Sequence, residues 1–143
     1  FNLGAVPGGS NVISAVLTLM QWGGAGSVPE VPTDPQSSYV QVFSLGEDWS
    51  ETTVTWNNSP MGLENITGSW MAPRAPGADP VTGDPTTWDV TVLVRDALQS
   101  GKPLNLAVYS ADTGFHSSKY LVSSQALDYY KHLRPALTVV WGN

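Results

Sequence analysis

The chain has 143 residues, of which 41% are hydrophobic and 13% charged, and its twelve acidic against six basic side chains leave it at −6 near neutral pH. That balance opposes binding to nucleic acid or to an anionic membrane, because both rest on clustered positive charge. Cysteine is absent, which excludes disulfide staples, thiolate metal sites and cysteine nucleophiles. The apolar content suffices for one core, and the length suits one domain spanning 1–143. No apolar run approaches the ~20 residues of a spanning helix. The chain opens on Phe1 and not on Met, so its natural start is expected to lie upstream.

In chain order, Pro7-Gly8-Gly9-Ser10-Asn11 is turn material. Val12–Trp22 alternates, with Ile13, Ala15, Leu17 and Leu19 on one side, and reads as a strand with one face in a core. Gly23–Ser38 is a long loop rich in Gly and Pro. Tyr39–Leu45 predicts a second strand, Val40 and Val42 facing one way and Tyr39, Gln41 and Phe43 the other. Thr52–Trp56 consists of β formers and predicts a third, closed by Asn57-Asn58-Ser59-Pro60. A short strand is expected near Ile66–Met71, then a proline-rich stretch, then a β piece at Trp88–Thr91. From Thr91 the spacing becomes helical: Leu93 with Ala97 and Val94 with Leu98. Asp89 or Thr91 is placed to cap the start, and Gly101 with Pro103 stops it after about two turns. Leu104–Tyr109, Ser118–Ser123 and Pro135–Trp141 close the chain as strands. Short strands, turn-rich connections and one short helix predict an all-β, antiparallel sandwich.

Trp49-Ser50-Glu51 followed by Thr53-Val54-Thr55-Trp56-Asn57-Asn58 and Pro60 resembles the W-S-E-x-x-V-T-W-N-N-x-P signature of the DNRLRE domain family, which is grouped with family 96 carbohydrate-binding modules. Phe1-Asn2-Leu3, the Ser14–Leu19 run, Asp89-Val90-Thr91 with Val94, Phe115 with Ser117, and Pro135–Val139 fit the same pattern more weakly. The resemblance implies a jelly-roll β-sandwich, secreted or extracellular, often appended to polysaccharide-degrading enzymes or surface proteins. It implies acidic or neutral polysaccharides as ligands. The family pattern has opening strands ahead of Phe1-Asn2-Leu3. The fold is therefore expected to be completed by strands not in this chain: a second polypeptide, an N-terminal fragment of a proteolytically processed protein, or a swapped copy. An uncovered face or edge is otherwise costly.

Within the motif, Trp49, Trp56, Asn57 and Pro60 are expected to be structural, with both indoles in the core. Trp22, Trp70 and Trp88 adjoin polar, Gly- and Pro-rich loops. Together with Tyr109 and Tyr130 they are the candidates for stacking on sugar rings. The stretch Asp79–Asp89 holds three aspartates and leaves room for a structural calcium; no other cofactor is implied. His116 and His132 are isolated, and neither H-E-x-x-H nor G-x-S-x-G occurs. Paired carboxylates stay open on spacing, so catalysis is undecided, with its absence favoured. Lys119 with Arg134 is a candidate contact for a uronate. Asn65-Ile66-Thr67 is a sequon, as is Asn57-Asn58-Ser59, which Pro60 weakens; Asn65 is the expected glycosylation site of a secreted glycoprotein. The leading expectation is a noncatalytic carbohydrate-binding or cell-surface module of a larger secreted protein. Its rivals are a structural or assembly domain and a piece of a polysaccharide-degrading enzyme.

Overall fold

A computed structural model describes residues 1–24, 34–75, 78–79, 81–110, 112 and 116–142. Strands β1 (Asn11–Gly24), β2 (Ser38–Leu45), β3 (Gly62–Met71) and β4 (Asp84–Asp89) precede helix α1 (Thr91–Ser100). Strands β5 (Leu106–Ser110) and β6 (Lys119–Leu121), a 3-10 helix (Asp128–Leu133) and β7 (Ala136–Gly142) follow. All strand pairs are antiparallel. In the four-stranded sheet β1 is central, with β4 along one edge and β7 and β6 end to end along the other. In the three-stranded sheet β2 lies between β3 and β5. The fold is a predominantly antiparallel β-sandwich with one helix, consistent with a jelly roll. No helix among the described residues is long and apolar enough to cross a membrane.

The core forms between the sheets from Ala15, Leu17 and Leu19 of β1, Val40 and Val42 of β2, Met71, Trp88, and Val90 and Val94 around the helix start. Alternation along β1 holds from Ala15 onward. It fails at the strand start, where a register shift against β7 between Val12 and Ser14 changes the parity. Val12 is consequently buried and Ile13 exposed, the reverse of the sequence expectation. Arg95 of α1 secures this irregular end by donating to the Val12 carbonyl at 2.9 and 2.7 Å and to that of Ile13. The helix spans 10 residues, longer than expected, and stops where expected, at a left-handed Gly101 whose N–H bonds to Ala97.

Residues 52–56 correct a second expectation. They form turns and not a strand. The Ser50 carbonyl accepts from the N–H groups of Thr53 and Val54, and the Asn58 carboxamide accepts from Thr55 and donates to the Thr53 carbonyl at 3.0 Å. These local bonds use backbone groups that a ladder would need, and side-chain competition of this kind overrides β propensity. Trp49 and Trp56 accordingly lie outside the core, Trp56 with 94% of its surface exposed. Asn57 is exposed in the same turn and Pro60 is half-buried.

Candidate functional site

Because Val40 and Val42 point into the core, Tyr39, Gln41 and Phe43 stand on the outer face of β2. Cross-strand pairing widens that face. Tyr39 lies opposite Trp70, and Gln41 opposite Gly68, on β3. On β5, Tyr109 lies opposite Gln41 and Ala107 opposite Phe43. The rings meet in two pairs. Tyr39 and Trp70 have centroids 5.2 Å apart, and Phe43 and Tyr109 meet edge-on at 6.2 Å. Trp70 is 65% and Tyr109 57% exposed, while Tyr39 and Phe43 are half-buried.

Glycines make this face flat. A Cβ at Gly68 would come within 2.8 Å of the Tyr39 ring, and one at Gly62 would touch the Phe43 ring at 3.4 Å. Both rings therefore lie down on β3. Gln41 stands between the two ring pairs, and the exposed Asn65 lies opposite Phe43. Aromatic faces with interspersed carboxamides suit a ligand that has apolar faces and a rim of hydroxyls. Of the five residues expected to stack on sugars, Trp70 and Tyr109 are brought together here. Tyr39, Gln41 and Phe43 were not among them, although the alternation about Val40 and Val42 placed all three on one face.

Trp22 and Tyr130 meet elsewhere, lining a cleft of about 410 Å³ with Leu121, Val122, Ala126 and Leu133. Its lining is aliphatic or aromatic apart from Ser123, so it offers stacking with little for hydroxyls to bond. Trp88 departs from the expectation for a stacking residue. It is 1% exposed, and its indole donates to the Val40 carbonyl at 2.9 Å. It presents no face to solvent and instead ties β4 to the opposite sheet.

The charged candidates are committed internally. Lys119 donates to the Gln36 carbonyl, the Ser38 hydroxyl and the Ser117 carbonyl at 2.8, 2.9 and 2.6 Å, which occupies all three of its protons. Burial pulls this ammonium below the ordinary lysine value, while Asp112 pulls it the other way. The Asp112 carboxylate in turn accepts from the Tyr39 N–H at 2.7 Å. Arg134 bonds Asp128 at 3.1 Å and the Ala126 carbonyl, so both members of the candidate uronate pair are already engaged within the chain. In the stretch considered for calcium, the cation present is Arg74. Its guanidinium bonds Asp84 at 2.8 Å, the Asp79 and Trp22 carbonyls at 2.8 and 2.9 Å, and the Thr82 hydroxyl. Among the described residues no group of three or more His, Asp or Glu is placed to hold a metal ion.

The family model for carbohydrate-binding module family 96 matches residues 1–126. The match ends before β7, so the likeness of Pro135–Val139 to the closing strand lies outside it. No curated protein matches the chain.

Proposed function

The chain belongs to carbohydrate-binding module family 96, and from that premise we propose that it holds polysaccharide, without catalysing its cleavage, on the outer face of the three-stranded sheet. The observation that carries this reading is the aromatic surface of Trp70, Tyr39, Tyr109 and Phe43 with Gln41 at its centre. Sugar rings stack on Trp70 and Tyr109, and Gln41 and Asn65 bond the hydroxyls. The module serves outside the cell as part of a larger protein.

The test is binding of soluble polysaccharides by affinity electrophoresis and calorimetry. Trp70→Ala is expected to weaken binding about tenfold or more, equivalent to about 1.4 kcal/mol, and Tyr109→Ala to act in the same direction. Trp22→Ala is expected to leave affinity unchanged, since that ring lies in the other cleft. Binding that survives Trp70→Ala and fails with Trp22→Ala would move the site to that cleft.

A second reading, a structural or assembly role in which another polypeptide completes the sandwich, is favoured by one observation. Val108 of β5 and Trp141 of β7 face inward yet are 40% and 41% exposed, while their β1 and β2 partners Val12 and Val42 are buried. The two roles are compatible, because the aromatic face and the inward Val108 lie on opposite sides of β5, and Trp141 belongs to the other sheet.

A further inference from the structure

The two most exposed rings of the aromatic face do not stand side by side. Trp70 lies opposite Tyr39, whereas Tyr109 lies opposite Gln41, two residues further along β2. They flank β2 from its two sides, since β3 and β5 are its neighbours in the sheet. Strands ~4.8 Å apart with a rise of ~3.4 Å per residue put the two backbone positions about 12 Å apart, on a line oblique to the strands. Midway along that line, on β2, come the half-buried Tyr39 and Gln41. The Tyr39 phenol lies across Gly68, which has no side chain to raise it. The centre of the line is therefore low, while its ends, Trp70 and Tyr109, are 65% and 57% exposed. Each end is backed by a β2 ring, Trp70 by Tyr39 at 5.2 Å and Tyr109 by Phe43 at 6.2 Å.

We infer that this face takes an extended polysaccharide by about three consecutive sugars laid obliquely across the strands. The outer sugars stack on Trp70 and Tyr109, and the middle one bonds the Gln41 carboxamide; the inference rests on the reading of this face as the glycan site. A pyranose unit of an extended chain advances by about 5 Å, close to one strand spacing, so the separation of the rings is met by roughly two steps along the chain and not by one. A single sugar or a disaccharide reaches one ring only. Once a longer chain has engaged one ring, contact with the other is intramolecular, and the translational and rotational cost is not incurred again. Tyr39 and Phe43 hold the two exposed rings in place beforehand, so little is lost in ordering them. A chain that coils back on itself within this length cannot touch both rings, which makes the ligand class an extended polymer.

The experiment is calorimetry of the full chain with cello-, xylo-, manno- and mannurono-oligosaccharides of increasing length, from the single sugar to about six units, beside their parent polymers. In a series that binds, affinity is expected to rise about tenfold or more between two and four units and to change by about threefold or less beyond that. Tyr109→Ala is expected to cut the ratio of four-unit to two-unit affinity to about threefold or less, because the second contact is gone. Trp22→Ala, in the other cleft, is expected to leave that ratio unchanged. The length series on the unaltered chain needs no substitution, so the test stands even if a variant misfolds. Affinity already complete at two units, yet lost with Trp70→Ala, would overturn the two-ring span and leave the glycan site standing, as would a ratio that persists in Tyr109→Ala. Absence of binding to every series and every parent polymer would overturn the glycan site and the span with it.

Discussion

Arg74 shows how much one side chain can organise. It is buried and ties the Asp79–Asp84 loop to the last residues of β1 through Asp84, Asp79, Thr82 and Trp22. Arg74→Met leaves those acceptors without their donor, and breaking a buried charged network of this kind costs about 3 kcal/mol. Arg74→Lys is expected to recover less than half of that, since an ammonium lacks the planar fork that reaches four partners. Denaturant unfolding of the three proteins measures both. Asp89 gives a pH signature. Its carboxylate accepts from the Thr91 hydroxyl and N–H at 2.5 and 2.9 Å, which holds its pKa below the ordinary 3.8. The unfolded chain therefore takes the proton first as pH falls. The stabilisation is complete above about pH 3.8 and is lost as pH drops through the lower folded value. Asp89→Asn should lower Tm at neutral pH, and the difference from the unaltered chain should shrink in the acid range. Asn65 is exposed on the aromatic face. An attached glycan there would cover Phe43, so material carrying it should bind polysaccharide less well than material treated with a glycosidase. Position relative to the sheet was the part of these residues that sequence left open. Trp70 and Trp88 both adjoin polar loops, and only pairing to Tyr39 on one side and burial under Val40 on the other separates a displayed indole from a core one.

Among the elements, those with a strong internal period were legible. Seven residues of β2 and the helix stop at Gly101 follow directly from alternation and capping, and the outward set Tyr39, Gln41 and Phe43 was already visible in Val40 and Val42. What failed had a local cause in each case: a register shift turned Val12 inward, and Asn58 held 53–58 in turns despite a run of β-branched residues. Neither a bulge nor a carboxamide that replaces ladder bonds leaves a periodic trace. The flatness of the aromatic face also rests on β3, because Gly68 lets Tyr39 lie across it. Gly68→Ala has no positive φ to oppose it, yet its methyl would lift the Tyr39 ring from the strand. The expected cost in stability is about 1 kcal/mol, and polysaccharide affinity should fall several-fold. Calorimetric binding and near-ultraviolet circular dichroism of the tyrosine and tryptophan bands read the two effects separately.

At the scale of the molecule, the two sheets are not equally closed along their two sides. On one side β3 approaches β4. On the other, β5 pairs with β2 and β7 with β1, and among the described residues neither has a second partner. The inward side chains record this. Leu17 and Ala15 are buried while Leu137 and Val139, directly opposite them, are half-buried, and Val108 and Trp141 are exposed to a similar degree. A groove of about 570 Å³ between Phe1, Leu3 and Val6 and the strand Ala136–Trp141 runs along this side. Full burial of an aliphatic side chain is worth about 1.5–3 kcal/mol, so each half-exposed one forgoes about half of that. An unpaired edge also leaves backbone donors open to water. Local stability should therefore be graded across the sandwich, lowest where cover is least. Amide hydrogen exchange is expected to be slowest in β1 and β2, and faster in β5 and β7 by two orders of magnitude or more, about 2.7 kcal/mol in opening free energy. A polypeptide that completes the sandwich along this side should slow β5 and β7 selectively, leaving β1 and β2 unchanged. Protection of β5 and β7 equal to that of β1 in the isolated chain would mean that the sandwich is already closed there, and the assembly reading would fall while the aromatic face kept its role.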